Sequence, residues 1–473
     1  MKEYDLIVIG TGSGMNYVGS ILEKNPDFKV AVVDKDEPGG ICLTRGCIPS
    51  KLLLYPAELI RTIGTAGKFG IEVTLKNIDF KYIMDRMRSD ISKDVDSIRK
   101  GLSSDPNLDY YHDTAKFISP YTMKVGNETI TSKMIFLCTG SRTIIPKVKG
   151  LEETGYLTSD TVLELSMLPP AIAIIGGGYI AAEYGHFFSS MGSRVTIIGR
   201  NNLFIPEVEP EISRLAKREM SAFMDIFTGH EVVEVQKSGD GKKKVIAISE
   251  GQKVDFIVDE ILVASGRGPT NDILHPEKSG IKTDPKGWFE VNEYLETSKP
   301  NVWAFGDCNG KYLFKHVANY ESKIVFNNAI MKQKIKVDYH AVPYAVFSYP
   351  EIAGVGMGEK EALEKYGAEN ILIGFHKYED TAKGHAMEVE DYFVKIIFEN
   401  NTHKILGAHI IGPYASILIQ EIVNLMYTKE ESSEPIIQGM HIHPALSEVV
   451  QRAFYSLVPQ EHYHHLLGHM GLE

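Results

Sequence analysis

The chain has 473 residues, of which 43% are hydrophobic and 24% are charged, a composition typical of a globular protein with about two to four domains. Its formal net charge of -12 argues against a nucleic acid or an anionic membrane as partner, because both require a basic surface. No apolar run approaches the roughly 20 residues that span a bilayer, and no cleavable apolar segment opens the chain, so we expect a cytoplasmic protein.

The first element is a strand followed by a glycine-rich turn. The apolar run YDLIVI has the length of a buried parallel strand, and Gly10, Gly12 and Gly14 follow it. Glycines there let backbone N–H groups approach a diphosphate at a helix N-terminus. A second apolar strand ends at Asp34, where a carboxylate is expected to bind a ribose hydroxyl. Because Met15 stands where the third glycine of G-x-G-x-x-G is usual, a glycine-rich turn without a nucleotide stays an alternative.

Two cysteines, Cys42 and Cys47, lie five positions apart in the segment GGICLTRGCIPSK. The chain has only four cysteines, too few for a secreted disulfide framework of this length. A zinc site would need further Cys or His ligands at suitable spacing, and Cys138 and Cys308 are single residues in apolar or glycine-rich surroundings. We therefore predict a redox-active pair and no metal site, with a structural disulfide or a metal-binding pair as the alternatives.

The strand-and-turn pattern occurs a second time. The segment AIAIIGGGYIAAEYG contains a strand, Gly176, Gly178 and the start of a helix, and SRVTIIGR supplies the next strand. Two such βαβ units predict two dinucleotides, one in each of two domains. A third segment, NVWAFGDC, contains a strand that ends at Gly306 and Asp307, where a carboxylate could bind a hydroxyl of a flavin's ribityl chain.

In these motifs and their order the sequence resembles the class I FAD-dependent pyridine nucleotide–disulfide oxidoreductases. The resemblance extends over essentially the whole chain and includes TGS at 139, GRGPTN at 266 and HIHPALSE at 441. It implies an α/β fold with two Rossmann-like dinucleotide-binding domains and a C-terminal α+β dimerisation domain. The implied ranges are an FAD-binding domain from 1–150 and 272–338, an NAD(P)-binding domain at 151–271, and an interface domain at 339–473.

The resemblance also implies catalytic roles. Cys47 would be the thiol next to the flavin, and Cys42 the interchange thiol that reacts with the substrate. His443 would move the proton, with Glu448 orienting its ring. Because this pair would reach the cysteines of the other subunit, the resemblance implies a homodimer with shared active sites. The further histidines of the tail EHYHHLLGHMG carry no such motif.

Further positions match the cofactor-binding residues of the family. Lys51 matches a lysine beside the flavin, Glu183 its ion-pair partner, and Tyr179 an aromatic residue over the nicotinamide pocket, although Tyr179 could equally serve packing. The residues assigned to FAD are Gly10, Gly12, Gly14, Asp34, Lys51, Thr139, Gly140, Gly306 and Asp307. The residues assigned to NAD(P) are Gly176, Gly178, Tyr179, Arg200 and Gly266.

Two sequence features disagree about the nicotinamide and the substrate. GCIPSK is similar to the dihydrolipoamide dehydrogenase version of the cysteine motif. NAD-dependent members, however, generally carry an acidic residue after the second strand of the NAD(P) domain, where this chain has Gly199 followed by Arg200. A missing carboxylate and a guanidinium favour the 2′-phosphate of NADP(H) or dual use, although a second arginine expected nearby is replaced by Pro206.

We therefore expect a dihydrolipoamide dehydrogenase-type enzyme, in which a dihydrolipoyl group is oxidised through Cys42, Cys47 and FAD to reduce NAD(P)+. The substrate would be a small dithiol or disulfide, or a lipoyl domain. An alternative is an NADPH-dependent reductase of a low-molecular-weight disulfide, similar to glutathione and mycothione reductases. An alternative from another class is a subunit that binds FAD without thiol chemistry.

Overall fold

The structure is a computed structural model that describes all residues from 1 to 473. Three large sheets organise the chain, and each is accompanied by helices. None of the helices combines the length and the apolar character that crossing a membrane requires. The cytoplasmic location remains a prediction from the sequence.

The first sheet is parallel and is made mostly of short apolar runs that are buried on both faces, as expected where helices cover a parallel sheet. Its strands are Leu6–Ile9 (β2), Val30–Asp34 (β3), Leu108–His112 (β4), Ile135–Leu137 (β8) and Val302–Ala304 (β18). The strand order is β18-β8-β2-β3-β4. A strand from late in the chain therefore completes the sheet that begins at the N-terminus.

The helices of this part of the molecule carry both predicted cysteines. They are Val18–Lys24 (α1), Gly40–Arg45 (α2), Cys47–Thr65 (α3), Phe80–Leu102 (α4) and Lys315–Ala329 (α8). A small mixed sheet contains Lys2–Glu3 (β1), Ala115–Ser119 (β5), Thr122–Val125 (β6) and Glu128–Thr131 (β7).

The second sheet is also parallel and has four strands. They are Ala171–Ile175 (β10), Arg194–Ile198 (β11), Asp225–Phe227 (β12) and Glu260–Val263 (β16), in the order β12-β11-β10-β16. The helices here are Leu151–Thr154 (α5), Tyr179–Met191 (α6) and Pro210–Met220 (α7). An antiparallel sheet contains Glu231–Lys237 (β13), Lys243–Ser249 (β14) and Gln252–Val258 (β15). Ser141–Thr143 (β9) pairs with Arg267–Pro269 (β17), at the two crossings between the first and second sheets.

The third sheet is antiparallel and lies in the C-terminal part of the chain. Its strands are Pro343–Val346 (β19), Ile352–Gly356 (β20), Ile371–Lys377 (β21), Phe393–Glu399 (β22), Ile405–Ile411 (β23) and Leu457–Pro459 (β24). The strand order is β19-β20-β23-β22-β21-β24. Its helices are Glu359–Tyr366 (α9), Ala382–Ala386 (α10), Ala415–Met426 (α11), Glu434–Gln438 (α12), Ser447–Tyr455 (α13) and Gln460–His469 (α14).

A buried lysine joins the second and third sheets. Lys395 of β22 is fully buried, and its Nζ lies 2.6 Å from a carboxylate oxygen of each of Glu209, Glu211 and Glu359. The Tyr463 hydroxyl of α14 donates a further hydrogen bond to Glu211. These five side chains come from both sides of the contact between α7 and the third sheet, so this cluster fixes how the two parts pack.

The helices that carry the predicted site share one apolar core. This core contains Leu54 of α3, Phe187 of α6 and Ile397 of β22, so the three parts of the molecule pack against each other around these helices. The predicted domain boundaries after residues 150, 271 and 338 fall outside every strand and remain predictions. The predicted α/β class, with two Rossmann-like domains and a C-terminal α+β domain, is confirmed.

Candidate active site

Cys42 and Cys47 lie on the wall of a cavity of about 1290 Å³. Cys42 belongs to α2, and Cys47 is the first residue of α3, where the helix dipole favours negative charge. Both thiols are free in this structure, and a hydrogen bond joins them. The disulfide between Cys42 and Cys47 in the oxidised enzyme remains a prediction from the sequence.

The hydrogen bond between the thiols shifts their pKa values in opposite directions. It lowers the pKa of Cys47 to about 7, and the positive charge of Lys51 contributes in the same direction. The same hydrogen bond, together with burial, raises the pKa of Cys42 well above its usual range. At neutral pH Cys47 therefore carries a large thiolate fraction, whereas Cys42 needs a base to lose its proton.

The first glycine turn contributes part of the cavity wall. A Cβ at Gly10 would lie 2.2 Å from the carbonyl oxygen of Cys138, so only glycine fits there. Gly12 and Asp34 both line the cavity. The backbone N–H of Thr11 donates to Oδ2 of Asp34 at 2.8 Å, so this carboxylate also holds the turn in place.

Gly14 lies outside the cavity wall, although the sequence assigns it to FAD. A Cβ at Gly14 would lie 3.0 Å from both Sγ of Cys138 and a methyl group of Val8. Gly14 therefore allows the turn to pack closely on the first sheet, which is the usual task of the third glycine of the motif. The motif would have that glycine at position 15, where this chain has Met15, and Gly14 makes the close contact one residue earlier.

Asp307 also lines the cavity, after Gly306, whose φ of +75° is in the region that favours glycine. Burial raises the pKa of Asp307. The Ser141 hydroxyl donates to Oδ2 of Asp307 at 2.5 Å, and Nε of Arg267 donates to Ser141 at 2.8 Å. Thr139 and Gly140 of the same TGS segment also line the cavity.

Lys51 and Glu183 meet next to the cysteines. Nζ of Lys51 lies 2.9 Å from both carboxylate oxygens of Glu183, although 132 residues separate them in sequence. The backbone N–H of Phe347 donates to the same carboxylate, and Nζ of Lys51 lies 4.5 Å from the centre of the Phe347 ring. Tyr179, the first residue of α6, lines the cavity beside this pair.

These residues fit FAD. The cavity exceeds the roughly 300–1,000 Å³ of most small-molecule sites, as a dinucleotide requires. It brings together a glycine turn suited to a diphosphate, two carboxylates suited to sugar hydroxyls, and a dithiol close to a lysine. The predicted residues that line it are Gly10, Gly12, Asp34, Cys42, Cys47, Lys51, Thr139, Gly140, Tyr179, Glu183, Gly306 and Asp307.

The second glycine turn lies outside this cavity. A Cβ at Gly176 would lie 2.2 Å from the carbonyl oxygen of Ala264, and Gly178 precedes the first turn of α6. Gly266 has a φ of +113° and lies at the crossing back towards the first sheet. These glycines allow a diphosphate to approach the N-terminus of α6, as expected for a second dinucleotide site.

The end of β11 lies directly beside this second turn. A Cβ at Gly199 would lie 3.2 Å from Cα of Gly177, so the two backbones are almost in contact. Arg200 is exposed, and its guanidinium forms no ion pair with a protein carboxylate. A free positive charge therefore lies next to the turn where the sequence of NAD-dependent members predicts a negative one.

The predicted pair of His443 and Glu448 is present but lies away from the cavity of its own chain. Nδ1 of His443 lies 3.0 Å from Glu448, and this hydrogen bond lowers the pKa of Glu448. The Ala445 N–H donates to the second oxygen of the carboxylate. Glu448 is only 9% exposed, whereas 66% of the His443 side chain is accessible.

Several residues of the site were missed in the sequence. Asn271 accepts a hydrogen bond from the Thr139 hydroxyl and donates to two backbone carbonyls, and it follows Arg267 in the segment GRGPTN. Their place in the GRGPTN segment could have identified both Arg267 and Asn271 from the sequence. Phe347 and Lys315 had no signal, because their contacts with the site join distant parts of the chain.

Comparisons with known proteins agree with this geometry. A family model for pyridine nucleotide-disulphide oxidoreductases matches residues 4–324, and the model of their dimerisation domain matches 342–454. Mycothione reductase of Mycobacterium tuberculosis is 34% identical, with 97% of this chain and 100% of the relative covered. Dihydrolipoyl dehydrogenase of a Synechocystis species is 31% identical, with coverages of 96% and 98%.

A solved structure is similar over nearly the same length. It is the Cu(II) complex of the HOCl-induced flavoprotein disulfide reductase RclA from Escherichia coli, with a TM-score of 0.85 and 28% identity over 96% of this chain and 99% of that one. The family models, the relatives and the dithiol cavity agree: the chain belongs to the pyridine nucleotide-disulphide oxidoreductases, enzymes that use FAD and NAD(P)H.

Proposed function

We propose that the protein is an NADPH-dependent reductase of a low-molecular-weight disulfide, of the glutathione or mycothione type. The observation that carries the choice of nicotinamide is the exposed Arg200 beside Gly199, without a carboxylate at the end of β11. A guanidinium can bind the 2′-phosphate of NADPH, whereas NAD has only a 2′-hydroxyl, which favours a carboxylate there.

The dithiol would reduce the substrate by two exchange steps. The Cys42 thiolate attacks one sulfur of the substrate disulfide, and the first substrate thiol leaves. The Cys47 thiolate then attacks Cys42, the mixed disulfide breaks, and the second thiol leaves as the Cys42–Cys47 disulfide closes. NADPH supplies the two electrons that reopen this disulfide, and FAD carries them when bound.

The raised pKa of Cys42 makes a base necessary for the first step. His443 has the required chemistry and is held by Glu448, but it is exposed and lies outside the cavity of its own chain. We therefore propose that the cysteines are served by His443 of the partner subunit in a homodimer. The matching dimerisation domain supports this arrangement.

A dihydrolipoyl dehydrogenase, which the sequence favours, is the second candidate. The GCIPSK segment and the 31% identity to the Synechocystis enzyme support it. In that case the same residues would work in reverse: a dithiol would reduce the Cys42–Cys47 disulfide, and NAD(P)+ would take up the electrons. The substrate would be free dihydrolipoamide or a lipoyl domain.

The experiment is a matrix of assays on the purified holoenzyme. Oxidised glutathione, other low-molecular-weight disulfides and lipoamide are each offered with NADPH and with NADH, and dihydrolipoamide is offered with both oxidised nucleotides. The proposal expects NADPH oxidation with a low-molecular-weight disulfide other than lipoamide. Turnover only with dihydrolipoamide and NAD+ would replace it by the second candidate.

A subunit that binds FAD without thiol chemistry is the remaining alternative. The chain has four cysteines, and an active dithiol predicts four free thiols in the reduced, denatured protein but two in the air-oxidised one. Four free thiols in both preparations, with a flavin that NADPH reduces normally, would favour this alternative.

A further inference from the structure

Lys315 is a positively charged residue that joins the first glycine turn to α8. It is the first residue of α8, it lines the cofactor cavity, and its Nζ donates to the Ser13 hydroxyl at 2.9 Å. On the same wall, Arg86 donates to a backbone carbonyl and Arg267 to the Ser141 hydroxyl, whereas Lys51 is paired with Glu183 and Arg45 with Asp36. Lys315 has no such ion pair.

The hydrogen bonds around Lys315 leave donors free. An ammonium group has three N–H donors, and Ser13 is the one protein acceptor that Lys315 uses. Ser13 directs its own hydrogen to Oδ1 of Asn319, which also accepts from Nδ2 of Asn16. The Ser13 hydroxyl is therefore held as an acceptor for Lys315, and the remaining N–H groups of the ammonium are available to a ligand.

The position of Lys315 is electrostatically unfavourable without an anion. The first turn of a helix favours negative charge, yet α8 begins with a lysine and has no acidic residue in its first turn. Asp307 and Asp34 also line the cavity, so its own carboxylates would repel a phosphate. A bound anion at the glycine turn would compensate the positive charge of Lys315 at the start of α8. Because the cavity carboxylates repel such an anion, the anion would in turn need a cation beside it.

We infer that Lys315 binds the diphosphate of FAD at the first glycine turn. The diphosphate is the negatively charged part of oxidised FAD, and Ser13 belongs to the turn that the motif assigns to it. A charge-assisted hydrogen bond from an ammonium is about twice as strong as a neutral one. The inference rests on the use of FAD by the family and is independent of the disulfide substrate.

The test measures flavin binding to the full-length apoprotein, without nicotinamide or disulfide, by quenching of flavin fluorescence. The variant Lys315→Met removes the charge, and Lys315→Arg retains it. Lys323→Met is the matched control, because Lys323 is exposed on the same helix and outside the cavity. Riboflavin is the second probe, since it has the same ring and ribityl chain but no phosphate.

We expect Lys315→Met to weaken FAD binding about tenfold or more and to leave riboflavin binding within about twofold of wild type. Lys315→Arg and Lys323→Met should bind both flavins like wild type. If Lys315→Met does not fold, as judged by circular dichroism, Lys315→Gln replaces it. Unchanged FAD affinity in the uncharged variant, or an equal loss for FAD and riboflavin, would overturn the inference. A failed disulfide assay would leave these binding results unaffected.

Discussion

The thiol of Cys42 is hydrogen-bonded to Cys47, and this contact moves the two pKa values in opposite directions. Cys47, at the start of α3 and near Lys51, becomes the thiolate, and Cys42 stays protonated. The proposed exchange chemistry needs this asymmetry, because one thiol must stay next to the flavin while the other waits for substrate and base.

The variant Cys42→Ser should show a long-wavelength absorption band without any reductant, because the Cys47 thiolate then lies unpaired beside the oxidised flavin. The band should fade as the pH falls and Cys47 takes up a proton, although the hydrogen bond from Cys42 that lowers the pKa of Cys47 is lost in this variant. Cys47→Ser should lack the band, and Cys308→Ser, a buried cysteine outside the pair, should behave like wild type. A band in Cys47→Ser instead would reverse the assignment of the two thiols.

The preference for NADPH should depend on Arg200. Replacing Gly199 by Glu and Arg200 by Gln should weaken NADPH use and improve NADH use, as judged from kcat/KM. A change of about 1.4 kcal/mol corresponds to tenfold, so a lost phosphate contact should be clearly visible. Gly199→Ala is the control for crowding, since any Cβ there lies 3.2 Å from Gly177. A wild-type enzyme that already prefers NADH would contradict the proposal.

The buried cluster around Lys395 should dominate the stability of the contact between α7 and the third sheet. Lys395→Met leaves three carboxylates close together without a cation and should lower the free energy of unfolding by about 3–5 kcal/mol. Lys360→Met, at a 91% exposed position, should have little effect. Denaturant unfolding at fixed protein concentration measures both.

The loss of unfolding free energy in Lys395→Met should also depend on pH. The positive charge of Lys395 lowers the pKa of Glu211 and Glu359, although burial opposes it. Their stabilisation is present above the unfolded pKa of about 4.3 and is lost as the pH falls through the folded values. The deficit of Lys395→Met should therefore shrink below about pH 4. A deficit that stayed constant from pH 7 to pH 3 would show that lost packing, rather than charge, is responsible.

A shared active site predicts complementation between two inactive variants. Cys42→Ser and His443→Ala proteins are mixed, dissociated and reassociated. A heterodimer then contains one site with intact Cys42 and an intact partner His443, so activity should return to about half of the wild-type value per heterodimer. If native mass spectrometry detects heterodimers and activity stays at background, His443 serves the cysteines of its own chain.

Much of the site was predictable because its motifs are local. A buried apolar run followed by Gly10 and Gly12 identifies a strand and a turn by itself, and at Gly10 the conformation of the turn excludes a side chain. The spacing of Cys42 and Cys47 likewise indicated a redox pair. The motif did not indicate that Gly14 packs closely on Val8, because this contact depends on how the turn sits on the sheet.

The sequence by itself determined the fold class and predicted the two dinucleotide-binding turns and the redox pair, because apolar periodicity, glycine requirements and thiol spacing are properties of short segments. Tertiary structure alone decided which distant residues complete the site. Arg267 reaches Ser141 across 126 residues, and Lys315 reaches Ser13 across 302. No local pattern encodes such contacts, because they arise only when separate strands and helices pack into one core.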